Sequence, residues 1–191
     1  TLINDSEISR SSGYKGSFNQ GEIVGFIPQY ISVDNGENYI TVTSLRDTFR
    51  EVEQLEYSAE IPSTITTLYC TYERTNLKEV PKLSDNLTSI AFAFYGTDIR
   101  IVTELPKNLK SIAGAFQECQ ELIEASFDVP EKVENMEYLF MNDIKLQTVG
   151  RINSKNIINM NYSYYNCSQL NNIDILIPSS MNLSSIVCEI F

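Results

Sequence analysis

The apolar residues of this chain fall into columns that recur with one period. In Leu109-Lys-Ser-Ile112-Ala-Gly-Ala115-Phe116 they are spaced by three and then four, and Leu122 follows six residues later. The same spacing starts at Val42, Ile65, Leu87, Leu109, Val133 and Ile157, and incompletely at Leu183, in steps of 23, 22, 22, 24, 24 and 26 residues. A second column reads Leu45, Leu68, Ile90, Ile112, Met136, Met160 and Ile186. A third is aromatic: Phe49, Tyr72, Phe94, Phe116, Phe140 and Tyr164, with Ile190 last. A fourth holds Leu55, Leu77, Ile99, Leu122, Leu146 and Leu170. Units close on an apolar residue that is often followed by proline, as at Ile61-Pro62, Leu105-Pro106, Val129-Pro130 and Ile177-Pro178.

One such unit cannot bury its own apolar side, but stacked units turn each column into a buried ladder. The period therefore predicts an α/β-type solenoid. Short parallel strands should follow the fourth column, as in Leu77–Val80, Leu122–Phe127 and Leu170–Ile175. Short helical or 3-10 turns should carry the aromatic column on the opposite wall. Prolines should end the strands, because they have no N–H for the ladder. Residues 42–191 form six units and a partial seventh. Residues 21–41 read as an N-terminal cap: Glu22–Pro28 looks like the strand end of a coil without its front half. The β-formers around Asn35-Gly36 predict a hairpin. Residues 1–20, rich in Ser, Gly and Asn, read as a flexible arm. At the other end the chain stops at Phe191 without a polar cap. Either this half-coil covers the strand of the sixth unit, or its apolar end packs on a second subunit or a further domain.

These residues carry a resemblance. The run from Leu109 to Leu122, with Ala115-Phe116 and Cys119 in place, resembles the BspA-type (treponemal) leucine-rich repeat. Asn135-Met136…Phe140 and Asn159-Met160…Tyr164…Cys167 are similar to its sister pattern in bacterial surface proteins. The resemblance covers about residues 42–191. It departs at the usual cysteine position, which is Val52, Thr75, Thr97 and Asp143 in other units, and at Arg151-Ile-Asn-Ser, which replaces the proline turn. It implies a mostly non-catalytic protein of adhesion or protein recognition. Similar repeats are known in phage and prophage structural proteins as well.

Composition then removes alternatives. There is no histidine, so Ser-His and Cys-His nucleophile pairs and histidine metal ligands are absent. A formal charge of −11 repels phosphate backbones, which argues against nucleic acid. No apolar run approaches the ~20 residues of a membrane span. The segment Thr1–Glu7 is polar and acidic, unlike a signal peptide, and lacks an initiator Met. Either that Met was removed or the chain begins inside a longer protein. The four cysteines show no CxxC spacing. Cys119 and Cys167 share a column two coils apart, ~10 Å at the ~4.8 Å strand spacing, beyond disulfide reach. Cys70 and Cys188 share another column five coils apart, so four free thiols are expected, packed as small core residues. Asp34–Asn38 lacks the distal Glu of a calcium loop and fits a hairpin tip better. Glu121/Glu124 and Glu51/Glu53 read as solvated carboxylates. No cofactor or metal is expected, and a thiol- or carboxylate-dependent enzyme is the weakest reading.

Two surfaces are candidates for binding. Between the apolar columns of the strands lie Lys78, Glu79, Arg100, Thr103, Glu124, Ser126, Gln147, Thr148, Asn171, Asn172 and Asp174. They read either as ordinary solvated surface or as a concave recognition face, basic near Lys78 and Arg100, acidic at Glu124 and amide-rich beyond. The alternative is a ridge of Phe92, Tyr95, Tyr138, Met141, Tyr162 and Tyr165, unless these fill the convex wall. The leading expectation is a non-enzymatic recognition or assembly module of a phage, prophage or phage-tail-like particle. Its partner would be a protein, either a particle subunit or a host surface protein. The alternative is a fragment of a secreted bacterial cell-surface adhesin.

Overall fold

A computed structural model of the protein describes residues 22–24 (backbone only), 27–32, 38–152 and 154–171. The expected arm, the Asn35-Gly36 tip, Asn172, Asp174, Cys188 and the partial seventh unit ending at Phe191 lie outside them.

The apolar columns form the core. Leu45, Leu68, Ile90, Ile112, Met136 and Met160 are buried, as are Leu55, Leu77, Ile99, Leu122 and Leu146. The aromatic column is a continuous stack of rings. Successive centroids from Phe49 through Tyr72, Phe94, Phe116 and Phe140 to Tyr164 lie 5.4, 5.7, 5.5, 6.0 and 5.6 Å apart. These offsets suit aromatic pairs, each of which adds about 0.5–1.5 kcal/mol beyond burial. The Tyr72 hydroxyl is satisfied against Ser58 Oγ at 2.6 Å.

The segment that carries these rings is not helical. The expected helical or 3-10 turns are replaced by chained hydrogen-bonded turns, and the described residues contain no helix. In the first coil the N–H groups of Leu45, Asp47, Phe49 and Glu51 donate to the carbonyls of Thr67, Tyr69, Thr71 and Glu73 in the next coil. Thr48 and Val52 instead donate back to Leu45 and Phe49. The pattern repeats in every later pair of described coils. Aiming alternate N–H groups along the solenoid axis forces left-handed backbone at two residues four apart per coil: Asp47/Glu51, Cys70/Arg74, Phe92/Gly96, Gly114/Glu118, Tyr138/Asn142 and Tyr162/Asn166. A helix would have spent those donors within its own coil.

A second ladder adjoins this one. Ser44, Thr67, Ser89, Ser111, Asn135 and Asn159 form an unbroken row of parallel bridges. The side chains of Ser44, Ser89, Ser111, Asn135 and Asn159 accept the N–H two residues on, which satisfies donors that do not reach the next coil.

The third ladder is the expected strand wall, and it is interrupted. At the N-terminal end β1 (Glu22–Val24) pairs in parallel with β4 (Leu55–Ser58). In a separate sheet, β2 (Tyr30–Ser32) and β3 (Tyr39–Thr41) form an antiparallel hairpin. Further along, β5 (Ile101–Val102), β6 (Glu124–Ala125) and β7 (Thr148–Val149) make a parallel sheet in that order. No strand forms at Leu77–Val80, contrary to the sequence reading. The cause is Pro81. Pro62, Pro106 and Pro130 stand three residues before the first apolar column, at Ile65, Leu109 and Val133, where they open a turn. Pro81 stands six before Leu87, immediately after the strand position of the other coils, and supplies no N–H toward the preceding coil. The coils on either side are tied to their neighbours, by Lys78 N–H to Glu56 O at 3.0 Å and by Ile123 N–H to Arg100 O at 2.9 Å. Among the described residues, no backbone–backbone hydrogen bond joins 77–86 to 99–108 on this wall; the two coils are linked through side chains, by Lys78 to Asp98, by the Lys107 N–H to Asp85 and by Asn108 to the Asp85 carbonyl.

Candidate functional site

The register of the strand wall decides which side chains face out. Ile101, Glu124 and Thr148 lie opposite one another in one row, and Val102, Ala125 and Val149 in the next. Val102 and Ala125 are buried and Val149 is half-buried, so the first row faces solvent. Lys78, Glu79, Arg100, Thr103, Ser126, Gln147, Thr148 and Asn171 are exposed and Glu124 is half-buried. The coil stack thus brings these nine residues to one wall. Asn172 and Asp174 lie outside the described residues.

The structure changes the electrostatics of this wall. Lys78 Nζ donates to Asp98 Oδ2 at 2.6 Å, which holds its ammonium above the usual range and neutralises part of the expected basic end. Ser126 Oγ donates to Glu124 Oε1 at 2.7 Å, fixing that carboxylate. Gln147 Nε2 donates to Gln169 Oε1 at 3.1 Å, so the amide-rich end is a linked row. The sequence reading missed Ile101, an apolar residue 56% exposed in the outward row. Its signal was the apolar pair Ile101-Val102, of which alternation allows only one member inside.

The aromatic ridge lies on the turn segment, and its members hold one another. Tyr138 stacks on Tyr162 at 5.7 Å, and Tyr162 meets Tyr165 edge-on at 5.8 Å. The hydrogen bond with Glu137 raises the Tyr138 phenol above its usual range. Phe92 meets Tyr69 edge-on and covers Gly114, whose added Cβ would strike the Phe92 ring. The Tyr95 hydroxyl donates to Glu118 Oε2 at 2.7 Å and accepts from Arg74. Met141 Sδ accepts from Gln117 at 3.8 Å. Phe92, Tyr95, Tyr138 and Met141 are half-buried; only Tyr162 and Tyr165, 38% and 37% exposed, offer much free surface. Most of the ridge therefore serves as lateral packing between coils.

Cys70, Cys119 and Cys167 are free and buried, and Cys188 lies outside the described residues. Burial pushes the thiols of Cys70 and Cys167 up to about 12 and that of Cys119 higher still. This is the opposite of an activated nucleophile. Cys119 Sγ and Cys167 Sγ donate to the carbonyls of Phe94 and Phe140 at 3.1 and 3.0 Å. Between them in the same column lies Asp143, fully buried. Its Oδ1 accepts the Cys119 N–H at 2.8 Å while Oδ2 has no partner. Among the described residues no group of His, Cys, Asp or Glu could hold a metal ion.

A family model for the BspA-type leucine-rich repeat region, in six copies, matches residues 90–191. Among solved structures, the chain is similar to a leucine-rich repeat protein from Bacteroides ovatus. The identity is 16% and the TM-score 0.47, over 84% of this chain and 52% of that one. It is also similar to a leucine-rich cell surface protein from Faecalibacterium prausnitzii, with 12% identity and a TM-score of 0.31, over 85% of this chain and 89% of that one. The chain thus spans about half the length of the Bacteroides protein. Comparison with curated proteins gives no match.

Proposed function

The chain belongs to the BspA-type leucine-rich repeat family, and from that premise we propose that it is a non-enzymatic protein-recognition module that binds through its strand wall. The supporting observation is the outward row on a hydrogen-bonded ladder. Glu124 and Thr148 are held in register with Ile101, and Gln147 and Asn171 stand exposed beside them. Side chains already ordered by a scaffold lose less entropy on binding than mobile ones. The raised thiols and the absence of histidine give no support to a catalytic reading.

The test is binding of the labelled protein to intact bacterial cells and, separately, to purified phage-like particles. The reading expects protease-sensitive binding to one of these surfaces. Gln147→Ala/Thr148→Ala/Asn171→Ala should abolish it, and Tyr162→Ser/Tyr165→Ser should leave it intact. The reverse result moves the site to the ridge. Which surface binds also decides between the adhesin and particle settings, since nothing in the fold is particular to a particle component.

A further inference from the structure

We infer that the cleft at the unpaired seam between the second and third coils takes an extended protein segment in which apolar residues alternate with lysine or arginine. The inference rests on the reading of the strand wall as a recognition surface and narrows it to one place.

The cleft has a volume of about 630 Å³ and is walled by three successive coils. That lies within the ~300–1,000 Å³ of ordinary ligand sites. Because no backbone bond closes the ladder between 79–83 and 101–106, β5 is a sheet edge inside the solenoid. A partner strand can add its own backbone groups to such an edge. The apolar surface in the cleft comes from exposed Ile101 with half-buried Val80, Leu83 and Leu105.

Charge selects the occupant. Glu60 is already paired with Lys82 at 3.0 Å, and Asp85 with Lys107 at 3.0 Å. Glu79 on one side of the seam and Glu104 on the other are exposed and form no ion pair among the described residues. An extended segment alternates its side chains between two faces. Its apolar face can lie on Ile101 while its other face carries cations to Glu79 and Glu104. An acidic segment, or a second copy of this chain at −11, would meet like charge here.

The probe is a dye-labelled heptapeptide, Lys-Val-Lys-Val-Lys-Val-Lys, titrated with the full chain and followed by fluorescence anisotropy. We expect saturable binding that weakens with salt. It should fall about tenfold in Glu79→Gln/Glu104→Gln, two rim charges at the usual modest worth each. Ile101→Ser should also weaken it. The distant pair Glu131→Gln/Glu134→Gln removes the same charge and should leave it unchanged. Superimposable thermal melts of the variants exclude unfolding as the cause of a loss. Absence of saturable binding, equal binding of the Glu-Val counterpart, or equal loss in the distant pair would overturn the inference. If the peptide fails while the intact chain still binds its cell or particle surface, only the cleft assignment falls. If both fail, the recognition reading falls with it.

Discussion

Asp143 gives the sharpest test of how the core works. It occupies the column of Thr75, Thr97, Cys119 and Cys167, whose side chains, with that of Thr75 as the pattern, donate to a carbonyl of their own or the preceding coil. Once ionised, its carboxyl can only accept, so one oxygen takes the Cys119 N–H and the other is buried without a partner. A stranded buried polar atom costs about 1–3 kcal/mol. In Asp143→Thr the hydroxyl can donate to the Phe140 carbonyl, as Thr97 does to Phe94 at 2.9 Å. The lost acceptor is cheap, because the Cys119 N–H also donates to the Phe116 carbonyl at 3.2 Å. The net expectation is stabilisation by about 1–2 kcal/mol at a pH where Asp143 is ionised.

The gain should depend on pH in one direction. Burial, followed by the repulsion of Glu118, holds the Asp143 carboxyl well above the usual carboxylate range. The folded state therefore keeps a proton that the unfolded state releases once the pH exceeds about 4. Stability from this group is fully present below that pH and is lost as pH rises through the folded value. Urea unfolding followed by circular dichroism, near pH 4 and near pH 8, should show Asp143→Thr gaining on the native chain at the higher pH. Asp143→Asn, which keeps the acceptor for Cys119, should remove the pH-dependent difference as well. A Thr variant less stable at both pH values, or a difference independent of pH, would refute the reasoning.

Three further outcomes follow from the same ladders. Phe116 stacks between Phe94 and Phe140 and touches Phe127 at 6.1 Å, so Phe116→Ala should cost about 3–5 kcal/mol. Its unfolding curve should broaden as the two halves of the stack uncouple, which calorimetry would register. Gly150 sits where an added Cβ would meet the Phe127 carbonyl, backbone that cannot swing aside, and its N–H bonds Ala125 O at 2.9 Å. Gly150→Ala should therefore lower the thermal midpoint, whereas Gly114→Ala displaces only the Phe92 ring and pays the cost of a φ of 58°. With thiols at about 12 rather than 9, Cys70 and Cys167 should alkylate about a thousandfold more slowly than a free thiol in the native state near pH 8, and normally in denaturant. Peptide mapping reads each site, and rapid native labelling of either would contradict the burial.

The apolar columns were legible because each is used once per coil and excludes water whatever the backbone does. Their spacing also misled. Apolar residues three and four apart, as at Leu109, Ile112 and Phe116, imitate the face of a helix. Here the same spacing is met by chained turns, whose N–H groups point to the neighbouring coil. Glycine or asparagine marks the left-handed positions at Gly96, Gly114, Asn142 and Asn166. At Phe92, Tyr138 and Tyr162 large rings take the same conformation. Propensity gives no warning there, because the inter-coil bonds impose the backbone. The bridge column from Ser44 to Asn159 went unseen for a simpler reason: a search for apolar period passes over polar residues, although a short acceptor is what the turn donors need.

The candidate site was legible to a different degree. Outward positions follow from alternation, so Glu79, Thr103, Glu124 and Thr148 could be placed on one wall from the repeat alone. Alternation also treats every coil as equal, and a binding site needs coils that differ. The difference lies in the sequence as one proline three residues out of register with its counterparts at Pro62, Pro106 and Pro130. A proline at the corner ends a strand that has already paired. Pro81 comes directly after the strand position, in the coil that faces Ile101 across the unpaired seam. A regular array thus supplies the rigid wall, and one local breach of its rule supplies a position on that wall unlike the rest. For a repeat protein, the departures from the consensus are therefore the residues to mutate first when looking for what it binds.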